Sequence, residues 1–234
     1  CRKGQYQEAI NNYDKAINLK EKNFDAYLNK GIALKNIYKY NDALKHYDFC
    51  IKVNPRNPRI YINLGNLFLK QKNFKEALKF YDRAISLRDE FAEAYYNRGE
   101  TNQQLRNYKQ AIKDYAKALK INNNLDYIQG KFLHAKMHIN DWENFDEQIE
   151  NLKAGIKNNK KIILPFPLLA LIDDPKMHKD VAEKHSKETF PFFLNDEIIR
   201  PKLKDKINVG YFSADFINHA TLHLMSDVFK NHNK

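Results

Sequence analysis

The feature that most constrains this sequence is a period of 34 residues that runs through its first half. Five sets of positions keep the same kind of residue at this spacing, and such agreement is not expected by chance. The sets are Tyr6, Tyr40, Phe74, Tyr108 and Trp142; Ala9, Ala43, Ala77 and Ala111; Tyr13, Tyr47, Tyr81 and Tyr115; Ala16, Cys50, Ala84 and Ala118; and Gly31, Gly65 and Gly99. The first half of the chain is therefore predicted to be an array of one repeated structural unit.

Each unit has the pattern of two helices joined by a turn. In Phe24–Asn57, apolar residues recur at helical spacing on either side of a break near Tyr38–Asn41, and Pro55 lies where the second helix must stop. Glycine and alanine at the repeated small positions allow two helices to approach closely, while the repeated aromatic residue fills the space beside them. Cys50 occupies one of these small positions, so we expect a buried packing residue and not a reactive thiol.

This 34-residue pattern resembles that of the tetratricopeptide repeats. It divides residues 1–125 into one partial and three full repeats, and a degenerate capping repeat follows in residues 126–159. The units are Cys1–Asn23, Phe24–Asn57, Pro58–Phe91, Ala92–Leu125 and the degenerate Asp126–Asn159. In the last unit Trp142 keeps the aromatic position, but Phe145 replaces the small alanine. A large residue at this position indicates that the regular stack ends there and that another unit docks.

Stacked helix pairs of this kind form a superhelical solenoid with a concave groove, a surface that can bind extended peptides or partner helices. Asn29, Asn63 and Asn97 also lie one period apart, each two residues before the repeat glycine. Asparagine is neither a good core residue nor a good helix former, so its recurrence requires an explanation. One explanation is a hydrogen bond that stabilises a turn within each repeat. The other is a ladder of amides along the groove that binds a peptide backbone.

Residues 160–205 no longer follow the period and are predicted to form a helical bridge. Ile162–Ile172 begins as an extended turn, because it contains two prolines, and then enters a helix. Asp173–Pro175 combines an acidic N-cap with a proline in the first turn, which is a helix-start signal. We therefore expect an amphipathic helix over Met177–Glu188, whereas the apolar, proline-containing stretch Phe190–Pro201 is expected to be irregular.

Residues 206–234 differ again in their pattern. Ile207–Phe212 predicts a short apolar strand, a polar loop follows it, and Thr221–Phe229 predicts a helix. A strand, a loop and a helix in this order form the opening unit of a Rossmann-like α/β sheet, in which ligands bind at the loops that follow the strands.

The stretch Ile207–Met225 resembles the opening of the catalytic domain in the protein O-linked N-acetylglucosamine transferases and their SPINDLY relatives. The matching residues are Gly210, Tyr211, Ser213, Asp215, Phe216, His219, His223 and Leu224. Ala220 departs from the pattern, which usually has proline there, and this affects the stiffness of the loop more than its chemistry. His134–His138, Asp141–Trp142 and Pro165–Phe166 resemble the bridge of bacterial-type members, and the spacing of the asparagines resembles the asparagine ladder of this family.

The resemblance implies a mostly α chain, in which the solenoid and the bridge precede the first strand, loop and helix of a Rossmann-like lobe of the GT-B type. It implies transfer of a sugar, with N-acetylglucosamine the first candidate and fucose the other, from a nucleotide sugar to Ser or Thr of proteins bound by the repeats. His219 is then the candidate catalytic base, and Asp215 supports it or caps a turn. The expected donor of the full-length protein is UDP-N-acetylglucosamine. The lobe that would hold it lies outside this fragment, so the fragment is expected to bind polypeptide without turnover and to have no cofactor site.

Two histidine pairs have the spacing of a helical zinc site, but neither predicts a metal. His219 and His223 lack the glutamate that follows the first histidine in such sites, and the first of them is placed before the predicted helix. His134 and His138 have no evident third ligand, so we expect them to pack or to lie on a helix surface.

The composition of the chain indicates which partners and which cellular compartment to expect. The net charge is +11, but the lysines are spread along the chain, so we expect solvated helix faces and no nucleic-acid partner. No apolar run is long enough to cross a membrane. Two cysteines favour a reducing, cytoplasmic location over a disulfide framework. Cys1 follows no initiator methionine, which is typical of the middle of a longer protein. The alternative to the transferase is a non-catalytic adaptor that uses the repeats for protein–protein interaction.

Overall fold

The computed structural model describes residues 2–21 and 23–189, and every regular element within these residues is an α-helix. The helices are α1 (Arg2–Leu19), α2 (Phe24–Asn36), α3 (Tyr40–Val53), α4 (Pro58–Lys70), α5 (Phe74–Leu87), α6 (Ala92–Gln104), α7 (Tyr108–Ile121), α8 (Ile128–Met137), α9 (Phe145–Lys157), α10 (Pro165–Leu171) and α11 (Pro175–Thr189). The prediction of a mostly helical solenoid is confirmed for this part of the chain. The predicted Rossmann-like start, residues 206–234, lies outside the described residues.

Each full repeat is a pair of helices that pack against each other, α2 with α3, α4 with α5, and α6 with α7. We call α2, α4 and α6 the first helices. Asparagine side chains fix where several helices begin, because Asn23, Asn57 and Asn73 each accept a backbone N–H from the turn that follows. Pro58 is the first residue of α4, where its missing N–H costs no helical hydrogen bond.

The turn within each full repeat contains one residue in the left-handed conformation, and the longer turn of the fifth unit contains an equivalent residue and a second one, Asn144, directly before α9. The equivalent residues are Tyr38, Lys72, Arg106 and, in the fifth unit, Asn140, with φ of 66°, 58°, 59° and 55°. In each case the next residue donates its N–H to a carbonyl near the end of the preceding helix, as Lys39 does to Leu34 over 2.9 Å. This pattern is a Schellman motif, which satisfies carbonyl groups that the helix leaves free. In these turns the motif forms without a glycine at the left-handed position.

The repeated glycines are points of close contact between paired helices. Gly31, Gly65 and Gly99 lie on the first helices and face the fully buried rings of Tyr47, Tyr81 and Tyr115. A Cβ on Gly65 would lie 2.7 Å from Cδ1 of Tyr81, which is closer than two carbon atoms can approach. The glycine therefore makes the space that the tyrosine ring fills.

The fifth unit keeps the first helix and the turn of a repeat but changes the packing. Leu133 and Ile149 occupy the glycine and tyrosine positions, and both are buried. The second helix, α9, begins at Phe145, so Trp142 precedes it and remains 52% exposed, with its ring edge-on to that of Phe145. Two large apolar residues at these positions form the start of a separate core with the bridge.

An extended segment, residues 160–164, packs against the fifth unit. The carbonyls of Lys161 and Ile162 accept the N–H groups of Tyr127 and Gly130 at the start of α8, where no helical partner is available. Ile162 also contacts Gly155 of α9. This segment leads into α10 and then α11, whose first turn is capped where the sequence predicted a helix start: Asp174 accepts the N–H of Met177. Among the described helices, none has the length and apolar composition needed to cross a lipid bilayer.

Candidate peptide-binding groove

The first helices of the three full repeats lie side by side, and an open groove of about 490 Å³ crosses their C-terminal halves. We call it the first-helix groove. It is lined by Lys35 from α2; Asn66, Leu69 and Lys70 from α4; Lys72 from the turn; Phe74 at the start of α5; and Asn97, Glu100 and Gln104 from α6. Most of the lining residues have polar or charged side chains, and lysines provide most of the charge.

Two asparagine side chains form the centre of the groove. Asn97 Nδ2 donates to Asn66 Oδ1 over 3.1 Å, and the same oxygen accepts the hydroxyl of Tyr81 over 2.7 Å. These bonds fix the orientation of both amides. Within the described residues, the Nδ2 donor of Asn66 and the Oδ1 acceptor of Asn97 have no hydrogen-bond partner. One donor and one acceptor are the two groups that a peptide bond can pair with.

Lys35 lies in the wall of the groove and is only 8% exposed. Within residues 2–21 and 23–189, no carboxylate oxygen lies within 4.0 Å of its Nζ. Burial, and secondarily the charge of Lys70, lower the pKa of Lys35 from its ordinary value of 10.5 to about 8, whereas the charge of Glu93 acts in the opposite direction. At neutral pH the side chain is therefore still charged, although it is largely removed from water.

The other charges of the groove leave it positive. Lys70 and Lys72 are exposed at its rim. The single acidic residue among those that line it, Glu100, is already paired with Lys131 of α8 over 2.6 Å. Three lysines therefore line the groove beside one glutamate that is already paired.

Two histidines, His134 in α8 and His138 directly after it, lie one period after the groove residues Glu100 and Gln104. His134 Nδ1 is 3.3 Å from Gln103 Nε2, and the ring of His138 stacks on Tyr108 at a centroid distance of 4.2 Å. Burial, then His138 and Lys131, lower the pKa of His134. Between residues 2 and 189, apart from residue 22, no group of three or more His, Cys, Asp or Glu side chains could hold a metal ion.

The three asparagines predicted as a ladder lie within α2, α4 and α6, not in the turns, and their surroundings differ. Asn97 lines the groove and is 9% exposed. Asn63 donates to the carbonyl of Arg59 in its own helix over 2.9 Å. Asn29 is half-buried. Of these three, only Asn97 is among the described residues that line the first-helix groove, and the ladder as a binding feature stays a prediction.

Sequence analysis did not single out Lys35 or Asn66, because it looked for residues that recur. Lys35 aligns with Leu69 and Gln103 in the following repeats, and Asn66 aligns with Ile32 and Glu100. The signal that could have revealed them is a departure from the register on the face that carries Asn97. The predicted catalytic residues, His219 and Asp215, lie outside the described residues.

Comparisons with known proteins agree with this architecture. The family described as "TPR repeat" matches residues 1–37 and 39–72, and the family described as "Tetratricopeptide repeat" matches residues 58–91 and 92–125. A search of curated proteins found no match to this chain.

Solved structures with a similar fold include three repeat proteins. MamA is 21% identical, with 80% of this chain aligned to 92% of MamA and a TM-score of 0.52. TTC0263, a thermophilic TPR protein in Thermus thermophilus, is 15% identical, with 66% of this chain aligned to 83% of that one and a TM-score of 0.55. YrrB, a TPR protein with an unusual peptide-binding site, is 21% identical, with 62% of this chain aligned to 73% of YrrB and a TM-score of 0.51. These similarities show the fold, and the family matches, which together cover more than half of the sequence, show that the chain belongs to the tetratricopeptide-repeat family.

Proposed function

We propose that this protein binds an extended segment of a partner protein in the first-helix groove. The observation that carries the proposal is the fixed pair Asn66 and Asn97, which presents one free donor and one free acceptor inside the groove. A peptide bond in extended conformation offers a carbonyl and an N–H of its own, so it can satisfy both amides at once. The fold is also one in which a peptide-binding site is described, in YrrB.

The test begins with peptides of about ten residues, long enough to cross three helices, selected from a random library for binding to the whole 234-residue chain. Their affinities are then measured by fluorescence anisotropy for the parent chain, Asn97→Ala and Asn12→Ala. Asn12 is an exposed asparagine of α1 and serves as the control. We expect Asn97→Ala to weaken binding about tenfold, through lost hydrogen bonds, and Asn12→Ala to change nothing. Equal affinities for all three proteins, or no selected peptides, would contradict the proposal.

The second candidate function is protein O-glycosylation by the full-length protein, with the groove holding the acceptor polypeptide. It is supported by the motif that contains Asp215 and His219 in the sequence. Histidine is a suitable proton acceptor near neutral pH, and an inverting transfer to a hydroxyl benefits from such a base. The donor sugar, N-acetylglucosamine or fucose, belongs to the same proposal.

This second candidate is tested on the complete reading frame. Labelled UDP-N-acetylglucosamine and GDP-fucose are supplied separately with lysate proteins, and incorporation is compared with that of His219→Ala. Transfer that falls sharply in the variant would support the transferase and identify the sugar. No transfer from either donor would leave the adaptor function, in which the repeats only bind other proteins.

A further inference from the structure

The two helices of the third repeat are joined by a network of charged and aromatic side chains. Arg98 of α6 pairs with Asp114 of α7 over 2.6 Å. The ring of Tyr95 lies near two cations, with Arg98 Cζ 5.3 Å and Lys117 Nζ 5.7 Å from its centroid. The hydroxyl of the same ring donates to Asp89 over 2.6 Å. This part of the repeat therefore contains an aromatic ring with one polar edge.

One period later, the fifth unit has a different residue at each of four positions of this network. Gln129, Phe132, Gln148 and Asn151 take the places of Tyr95, Arg98, Asp114 and Lys117. The ion pair of the third repeat cannot form with these side chains. Gln148 Oε1 is accordingly buried without a hydrogen-bond partner among the described residues, since the side chain of Phe132 has no N–H to donate.

All four replacing residues line an open pocket of about 410 Å³ between α7, α8, α9 and the extended segment 160–164. We call it the fifth-unit pocket. Gln129 and Asn151 are smaller than the tyrosine and the lysine that they replace, so the fifth unit leaves space where the third repeat has a ring.

The lining of the fifth-unit pocket combines an apolar part with an amide part. The apolar side chains are Leu119, Phe132, Leu133 and Ile162, and the amides belong to Gln129, Gln148, Asn151 and Asn158. Of these amides, only that of Gln148 has a side-chain hydrogen bond to another described residue, from its Nε2 to the carbonyl of Glu143. Lys160, which is exposed, is the one charged residue among the described residues of the lining. The other three amides are therefore available to a ligand as donors and acceptors.

The size and the lining of the fifth-unit pocket indicate an uncharged aromatic ligand. Its volume of about 410 Å³ lies in the range of ligand pockets and exceeds the roughly 150 Å³ of an apolar cavity that binds benzene. Amides can pair with hydroxyl and amide substituents, but they cannot compensate a buried charge. One period earlier, Tyr95 shows that this position accepts a planar ring with a polar edge.

We propose that the fifth-unit pocket binds an uncharged aromatic small molecule that carries a hydroxyl or amide substituent. The ring packs against Phe132 and Leu133, and the substituent forms hydrogen bonds with Gln129 and Asn151. The first-helix groove and the fifth-unit pocket share no lining residue, so this inference does not depend on the proposed peptide binding.

The test uses three probes that share a two-ring skeleton and differ in one property each. The first, β-naphthol, is flat and uncharged at neutral pH. The second, decahydro-β-naphthol, is saturated and puckered, and the third, β-naphthoate, carries a carboxylate. Dissociation constants are measured at neutral pH by isothermal titration calorimetry on the whole 234-residue chain.

Two substitutions fill the pocket from different helices. Gln129→Tyr places on α8 the ring that the third repeat has at Tyr95, and Ala154→Trp adds a large side chain at an exposed residue of α9 that lines the pocket. The control, Gln7→Tyr, adds a ring at an exposed position of α1. Circular dichroism checks that each variant is folded, and either filling variant that folds is sufficient for the test.

We expect β-naphthol to bind the parent chain at least about tenfold more tightly than either analogue, because the puckered skeleton packs poorly in a site for a flat ring and the carboxylate loses more hydration. Each filling variant should weaken the binding of β-naphthol at least about tenfold, whereas Gln7→Tyr should leave it unchanged.

Three results would overturn the inference. Equal binding of the saturated analogue would refute the aromatic class, and equal or tighter binding of β-naphthoate would refute the uncharged class. The site itself would be refuted if none of the probes bound, or if both filling variants left the affinity for β-naphthol unchanged.

Discussion

Replacing Lys35 by methionine should make the protein more stable, although it removes a charged side chain from the lining of the candidate groove. The pKa of Lys35 falls from 10.5 to about 8 in the folded chain. At about 1.4 kcal/mol for each pH unit, this difference corresponds to about 3 kcal/mol of destabilisation at neutral pH, because the charged form is disfavoured by folding. Methionine has a similar helix propensity and keeps the apolar stem buried, so Lys35→Met should recover most of that free energy.

The increase in the free energy of unfolding caused by Lys35→Met should become smaller as the pH rises. Below about pH 8 the lysine is charged in both the folded and the unfolded state, and the full penalty applies. Between about pH 8 and 10.5 the folded state has lost a proton that the unfolded state still binds, so the stability of the parent chain rises with pH. The advantage of Lys35→Met should therefore shrink from about 3 kcal/mol at pH 7 to about 1 kcal/mol at about pH 9.5.

Urea unfolding followed by far-ultraviolet circular dichroism measures both quantities. The parent chain, Lys35→Met and Lys52→Met are compared at the two pH values, so that ionisation of the buried tyrosines cancels between proteins. Lys52 is exposed, and its substitution should change the free energy of unfolding by less than about 0.5 kcal/mol. If Lys35→Met is no more stable than Lys52→Met at pH 7, folding does not disfavour the charge of Lys35, and the lowered pKa of this lysine is wrong.

Three further substitutions test the packing of the repeats. Gly65→Ala places a methyl group 2.7 Å from Cδ1 of Tyr81, so we expect a loss of about 1–3 kcal/mol by urea unfolding despite the better helix propensity of alanine. Arg106→Asn should stabilise the chain by about 0.5–1 kcal/mol, because asparagine tolerates the left-handed conformation at φ 59°. Asp114→Ala should cost about 3–5 kcal/mol, because this buried carboxylate accepts three hydrogen bonds from one arginine, as short as 2.6 Å, and its loss leaves that cation without its buried partner.

The matched controls use the same chemistry at other positions. Lys109→Asn lies within α7 and should destabilise the chain slightly, opposite in sign to Arg106→Asn, because asparagine is a poor helix former. Gly4→Ala meets no atom within 4 Å and should stabilise α1. A stabilising Gly65→Ala, a destabilising Arg106→Asn or a neutral Asp114→Ala would each show that the corresponding contact does not act as described.

Sequence could predict the repeated parts of the fold because one packing geometry constrains them all. The break expected near Tyr38–Asn41 falls between α2 and α3, which end and begin at Asn36 and Tyr40. The left-handed conformation within each turn could not be predicted from the residue types. Lys72 and Arg106, unlike Asn140, are not residues that favour this conformation, so the Schellman hydrogen bonds decide it.

The candidate site was predicted less well, for a related reason. A period reveals what every unit shares, and shared residues mainly serve packing. Asn63 shows this limit, since it keeps the register of Asn97 but bonds within its own helix. Lys35 and Asn66 stand out only by differing from their aligned positions, and the hydrogen bond that orients Asn66 in the groove comes from Asn97 of the next repeat.

The extended segment 160–164 has a consequence for altering the length of the array. Its carbonyls occupy the free N–H groups of α8, and Ile162 and Ile163 lie against Gly155 and Gly130. A 34-residue unit inserted after Leu125 would be followed by an unchanged fifth unit, with segment 160–164 still packed against α8. The same unit inserted after Asn159 would separate segment 160–164 from α8 and α9, the two helices that it contacts. Repeats can thus be duplicated or deleted before the fifth unit without loss of folding, but not between the fifth unit and segment 160–164.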